Sequence, residues 1–358
     1  MLKQFAYIVA LLGICVICAC NHISNIFTPA KTVSYYNDEV ISADKFAAIK
    51  KAMNKGVKKF QAQSGTFILM DANNSVILAI YNTNNKSVIT EESYDIGSIL
   101  KVFTVAMGLE SGKIKADDKI DTSEPFVVGK LKVTDPHGSH ELFELDRIIV
   151  ESSNIGSAKI ISKVGGRYQY GFFKRLGLLS RINSNNIYSV NPIFIPKEKW
   201  VNDEIYVTTL SFGYGLSATP LHIITAYSAI INGGTYHKPT FEKMVNNYGI
   251  YVISEENSKL MRKYLRETVT DGTARRANSD QYVLMGKTST VDKFGEDGKY
   301  DHDKAISTFV GNFEHNGVEY AILVMFDDPK ASKETYGYVT AGWNAVPIAG
   351  KIIEEIVK

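Results

Sequence analysis

Three short stretches of this chain carry side chains whose types and spacing can do chemistry together. The sharpest is Gly97-Ser98-Ile99-Leu100-Lys101, at the head of the apolar run Val102, Phe103, Val105, Ala106, Met107 and Leu109. Residues three apart on a helix share a face, so a helix here brings Ser98 to Lys101. That helix is apolar nearly all round until Glu110, and such helices are buried. A buried ammonium loses hydration, its pKa falls, and the neutral amine can take the proton of a neighbouring hydroxyl. The helix N-terminus also leaves backbone N–H groups free to hold a developing oxyanion. The chemistry these residues point to is attack by serine on a carbonyl, with Ser98 as nucleophile and Lys101 as base. The spacing alone is weak evidence, since Ser42-x-x-Lys45 also fits and reads as the capped start of a surface helix.

The second stretch is Ser152-Ser153-Asn154, after the segment Leu142 to Val150 and before Ile155-Gly156. A hydroxyl and an amide two residues apart, at a turn between helices, can relay a proton and hold a substrate amide. A plain helix cap fits as well, and Ser184-x-Asn186 and Ser189-x-Asn191 have the same form. The third is Lys287-Thr288-Ser289-Thr290, on an expected strand after Gly286. Alternation puts Thr288 and Thr290 on one face, suited to a substrate carboxylate, although solvated residues on an edge strand would look the same. The order carries more weight than any one piece. Ser-x-x-Lys on a helix, then Ser-x-Asn, then Lys-Thr-Ser make up the motif triple of acyl-serine enzymes.

These stretches need a scaffold. Ser42 as cap, with Phe46, Ile49, Met53, Val57 and Phe60 at steps of three and four, predicts an amphipathic helix over 41–62. Thr66 to Met70 and Val76 to Tyr81 flank Asp71-Ala72-Asn73-Asn74, which is hairpin chemistry. A clearer hairpin joins Thr308–Phe313 to Val318–Phe326 through Asn316-Gly317. Tyr282 to Met285 reads as a fifth strand running into the third motif, and Ala345 to Val357 has the helical period. With strands at both ends and a helical middle over about 97–275, the pattern predicts an α+β fold in one interrupted domain.

With the motifs and these elements together, the chain resembles the transpeptidase domain of class B penicillin-binding proteins. Tyr94-Asp95-Ile96-Gly97-Ser98 is similar to that family's entry to its nucleophile helix, and Glu151 to Lys159 to its second-motif segment. Phe212-Gly213-Tyr214-Gly215, Thr219-Pro220-Leu221, Ala226 to Gly234, Asp271-Gly272-Thr273-Ala274 and the closing helix with Val346-Pro347 extend the likeness over residues 42–358. The resemblance implies a five-stranded antiparallel sheet flanked by helices, with an inserted all-helical subdomain. It implies a peptidoglycan D,D-transpeptidase or D,D-carboxypeptidase acting on D-Ala-D-Ala stem peptides, with β-lactams as covalent inhibitors and no cofactor. Carried over by position, Ser98 is the acylated nucleophile, Lys101 its base, and Ser152 the proton relay to the departing D-alanine. Asn154 binds the peptide amide and Lys287 supports the electrostatics. Thr288 and Thr290 hold the terminal carboxylate, the N–H groups of Ser98 and Thr290 form the oxyanion hole, and Ser289 is counted with them as a substrate-binding residue. Two features depart from the family. Ser289 replaces a glycine, and only residues 21–41 precede the first helix where the family has a pedestal behind a transmembrane segment.

The first twenty residues are of another kind. Lys3, an apolar run from Phe5 to Cys18, and the end Ile17-Cys18-Ala19-Cys20 make a signal-peptide layout. The run falls short of the roughly 18 to 20 residues a spanning helix needs. Its last four residues resemble a lipobox, which implies lipidation at Cys20 and tethering to a membrane on the periplasmic face of the envelope, with residues 21–41 as a flexible tether. Cell-wall synthesis proteins are the expected partners. All three cysteines, Cys15, Cys18 and Cys20, lie in this leader, so disulfides are not expected in the body. The 7 histidines form no zinc pattern, and the acidic stretch 297–303 lacks the spacing of a calcium loop, so no metal is expected. A net charge of +2 without a basic stripe argues against nucleic acid. Two other readings stay open on the residues: a β-lactamase, which needs a way to activate deacylating water, and a non-catalytic penicillin-binding sensor or scaffold.

Overall fold

A computed structural model describes residues 33–136, 138, 140–184, 186–242, 248–294 and 300–358. The signal-peptide reading, Cys20 and most of the expected tether lie outside these residues. Among the described residues, the central antiparallel sheet has six strands where five were expected. The strands are β1 (Ser34–Tyr36), β2 (Ser64–Asp71), β3 (Val76–Asn82), β4 (Leu284–Phe294), β5 (Tyr300–His315) and β6 (Val318–Asp327), in the order β1-β3-β2-β6-β5-β4. The extra strand, β1, pairs Tyr35 with Ile80 and lies inside the stretch read as tether.

The central strands β2 and β6 are buried on both faces, which is why they read as continuous apolar runs. Alternate residues enter different cores. Phe67 and Leu69 of β2, with Ile322, Val324 and Phe326 of β6, pack against Phe46, Ile49 and Met53 of α1 (Ala43–Phe60) and Ile348, Ile352 and Ile353 of α8 (Ala345–Val357). Ile68 and Met70 of β2, with Leu323 and Met325 of β6, face the opposite core, which contains α2 (Leu100–Glu110) and α6 (Pro220–Ile231). Each fully buried Leu, Ile or Phe contributes roughly 1.5–3 kcal/mol. The Ser42 cap is made as the sequence suggested, its Oγ accepting from Lys45 N–H at 3.3 Å.

Between β3 and β4 the chain forms the helical subdomain, which includes α2, α3 (Leu145–Val150), α4 (Asn154–Val164), a helix over Gly166–Arg175, α5 (Glu204–Phe212), α6 and α7 (Glu255–Thr270). It is not all-helical. Lys119–Thr122 pairs with His140–Glu144, and Phe126–Val128 with Leu131–Val133. Ten consecutive residues of α2, Leu100 to Leu109, and all of α6 are buried, so the helix carrying the first motif is fixed on every side. Thr219 caps α6 and Pro220 occupies its first turn, where a missing N–H costs nothing. Among the described residues no helix is long and apolar enough to cross a membrane.

Candidate active site

The first motif sits at a strand-to-helix turn. Tyr94–Asp95 pairs with Ser217–Ala218, and Gly97–Ile99 makes a single 3₁₀ turn that runs into α2. Gly97 has φ +64, and a Cβ there would lie 2.1 Å from Ser289 Oγ, so the turn needs glycine for both conformation and space. The turn leaves Ser98 half-buried and aims Lys101 inward. Lys101 Nζ lies 2.7 Å from Ser98 Oγ and donates to the Phe212 carbonyl at 3.1 Å, at the C-terminal end of α5. Only 1% of Lys101 is exposed. Burial drives its pKa well below the ordinary lysine value and the Lys287 ammonium pushes it further down, with Asp135 opposing. The expected serine–amine pair is therefore formed, in the desolvated setting a base needs.

The second motif follows α3. Ser152 has φ +59, a conformation that costs a non-glycine residue energy, and it lies next to the cap of α4. The adjacent serines divide the work. Ser153 is the cap, accepting from Gly156 N–H at 2.9 Å and donating to Asp135 Oδ2 at 2.6 Å. Asp135 Oδ1 accepts from the N–H groups of Asn154 at 2.5 Å and Ile155 at 3.0 Å. Ser152 is left to accept from Lys287 Nζ at 3.1 Å. Asn154 Nδ2 donates to the Thr134 carbonyl at 2.9 Å, which orients its amide. Arg147 is ion-paired to Glu151 and, at 2.5 Å, to Asp271, so it ties the second motif to the loop after α7.

The third motif lies on β4, the edge strand of the sheet. Lys287 is fully buried, donates also to the Thr288 carbonyl at 3.2 Å, and has its pKa lowered by burial to about 7. Thr288 Oγ1 and Thr273 Oγ1 share a hydrogen bond of 2.7 Å. Thr290 Oγ1 accepts from Ala341 N–H at 3.0 Å, and accepting leaves its own O–H available to donate to a carboxylate. Ser289 points the other way along the pleat: its Oγ donates to the Ile96 carbonyl at 3.1 Å. Its hydroxyl is therefore committed to the turn before Ser98.

The fold thus brings Ser98, Lys101, Ser152, Asn154, Lys287, Thr288 and Thr290 to one region: Lys101 meets Ser98, Lys287 meets Ser152, and Ser289, expected to bind substrate, instead bonds to Ile96 and so ties the third motif to the first. Residues not singled out by sequence also serve it. Asp135 has no motif around it, and only the fold places its carboxylate at the start of α4. Thr273 belongs to the Asp271-Gly272-Thr273-Ala274 segment, but its bond to Thr288 is not readable from spacing. A hollow of about 700 Å³ lined by Val128, Ile195, Lys199, Asp203 and Ile205 lies at the N-terminal end of α5, away from the end that holds Lys101. Among the described residues there is no cluster of three His, Cys, Asp or Glu placed to hold a metal. Of the acidic stretch, residues 297–299 lie outside the described ones, and Asp301 pairs with Lys304 at 2.9 Å.

Comparison with known proteins identifies the family and the fold. The family model for "Penicillin binding protein transpeptidase domain" matches residues 65–354. The "Probable peptidoglycan D,D-transpeptidase FtsI" of Caulobacter vibrioides is 30% identical over 335 residues, covering 87% of this chain and 56% of that protein. The "Probable peptidoglycan D,D-transpeptidase PenA" of Neisseria meningitidis is 30% identical over 309 residues, covering 81% of this chain and 52% of that protein. The chain thus spans about half the length of these curated relatives. The apo structure of the TP domain of Burkholderia pseudomallei penicillin-binding protein 3 is similar in fold, with a TM-score of 0.78 at 24% identity over 88% of this chain and 94% of that one.

Proposed function

Because the chain belongs to the family of penicillin-binding protein transpeptidase domains, in its class B branch, we propose that it is a cell-envelope acyl-serine enzyme that cuts D-Ala-D-Ala stem peptides as a D,D-transpeptidase or D,D-carboxypeptidase. The observation that carries this reading is the 2.7 Å contact between Ser98 Oγ and the amine of buried Lys101. In the neutral form, Lys101 Nζ takes the Ser98 proton as Oγ attacks the carbonyl carbon of the penultimate D-alanine. The N–H groups of Ser98 and Thr290 hold the oxyanion. When the tetrahedral adduct collapses, the C–N bond breaks and the proton passes through Ser152 to the amine of the leaving D-alanine. An acceptor amine, or water, then attacks the Ser98 ester and restores the hydroxyl. Asn154 holds the peptide amide, and Thr288 and Thr290 hold the terminal carboxylate beside Lys287.

Exposure to a fluorescent penicillin, followed by mass spectrometry of the digested protein, tests the reading. We expect a stoichiometric adduct on Ser98, lost in Ser98→Ala. Absence of any Ser98-dependent adduct would end the proposal. Steady nitrocefin hydrolysis would move the chain to the β-lactamases. A non-catalytic reading rests on Ser289 in place of the family glycine and on the short stretch before the first helix; the Ser289 hydroxyl is bonded to Ile96. Normal growth of cells carrying Ser98→Ala in place of the native chain would favour it.

For the cellular setting we propose that residues 1–20 are a lipoprotein signal, that Cys20 carries the lipid, and that residues 42–358 work at the periplasmic face beside other cell-wall synthesis proteins. Metabolic labelling with an alkyne fatty acid, lost in Cys20→Ala, is the expected result.

A further inference from the structure

We propose that Ser289, the residue standing where the family has glycine, is a positioning residue that sets the gap between the two walls of the oxyanion pocket. The inference rests on the enzymatic reading above. One oxyanion donor, the N–H of Ser98, belongs to the turn that precedes α2; the other, the N–H of Thr290, belongs to β4. Nothing covalent holds turn and strand together. The Ser289 hydroxyl spans them, donating from the residue before Thr290 to the carbonyl of Ile96, two residues before Ser98.

Three observations support the assignment. Ser289 is only 3% exposed, so its hydroxyl is not a surface group that finds a partner by chance. The space it fills is matched on the other wall, because a Cβ on Gly97 would lie 2.1 Å from Ser289 Oγ and 2.4 Å from Val291 Cγ1. The turn is anchored on its far side by Ile96 N–H donating to Leu216 O at 3.3 Å and Gly97 N–H to Gly213 O at 3.1 Å, so the Ser289 bond completes a clamp from both directions.

An oxyanion is stabilised only when both donors reach it at hydrogen-bond distance, and the oxygen comes to that position in the transition state. Loosening the clamp therefore weakens the transition state and leaves ground-state binding unchanged. Ser289→Ala removes the hydroxyl and keeps the Cβ; Ser289→Gly removes both and restores the family residue. Time-resolved labelling with a fluorescent penicillin, at several concentrations, separates the noncovalent dissociation constant from the acylation rate constant.

We expect both variants to bind penicillin as the parent does and to acylate about threefold to tenfold more slowly, the worth of one neutral hydrogen bond, with thermal unfolding little changed. An unchanged acylation rate constant in both variants would overturn the assignment. So would weaker binding at an unchanged rate constant, which a merely structural role would give. If the parent chain itself is not labelled on Ser98, the enzymatic reading fails instead, and the two failures are told apart.

Discussion

Replacing Lys101 separates two roles that a buried amine can play. As a general base it must be neutral and accept a proton; as an electrostatic group it need only carry charge. Lys101→Arg keeps the charge and much of the length, but a guanidinium does not deprotonate in proteins. Lys101→Met keeps the length and removes both charge and basicity. A positioned base contributes typically 10²–10⁴-fold, so both variants should acylate at about 10⁻² to 10⁻⁴ of the parent rate. For Lys101→Met, stability cannot explain such a loss. Met leaves the Phe212 carbonyl without the donor it has at 3.1 Å, at a cost of about 1–3 kcal/mol. Against that, it relieves the burial of an amine that is 1% exposed. Unfolding temperatures should therefore move by only about 5 °C. The assay is the second-order rate constant for labelling by a fluorescent penicillin, with calorimetry on the same samples. Near-parental acylation by Lys101→Arg would refute proton transfer to Lys101 and leave it an electrostatic role alone.

Acylation should be lost as pH falls through the Lys101 pKa, well below 10.5, because only the neutral amine accepts a proton. Since the Lys287 ammonium helps to depress that pKa, Lys287→Met should move the acid limb of the pH–rate profile to higher pH; no movement would argue against coupling of the two amines. Lys287 should also leave a mark on stability. Its folded pKa is about 7 against an ordinary 10.5, so between those values the unfolded chain keeps a proton that the folded chain has released. Stability then rises with pH across that window and gains nothing from this group below it. Denaturation midpoints measured from neutral to alkaline pH should lose that slope in Lys287→Met. Asp135→Ala strips acceptors from Ser153, Asn154 and Ile155 and should cost about 2–4 kcal/mol, readable by urea unfolding. A loss below about 0.5 kcal/mol would mean that the cap is replaced by water.

The sequence shows elements whose signal is local. The Asn316-Gly317 turn takes φ +53 and +77, the conformation an Asn-Gly hairpin demands, and α8 occupies the segment its apolar period marked. The triple of motifs was legible for the same reason, since each is a few adjacent residues. Features that depend on distant partners were not. The three residues of β1 have no pattern of their own and gain strand form by pairing with β3. The small strand pairs within 119–144 are too short to show a period. Asp135 acts across 18 residues on Ser153, and the direction of Ser289 is set by Ile96, 193 residues earlier. Side-chain type gave the chemistry available at each position; which partner each group chose came from packing.

The two faces of the sheet also have a practical bearing on how the protein can be handled. α1 and α8 share the face opposite the core that contains α2, and Lys45 at the start of α1 donates to the Ile356 carbonyl near the end of α8 at 2.7 Å. A reporter fused after Lys358, or a surface to which that end is immobilised, thus attaches on the reverse of the molecule. That attachment leaves the side of the sheet that carries Ser98 and α2 unobstructed.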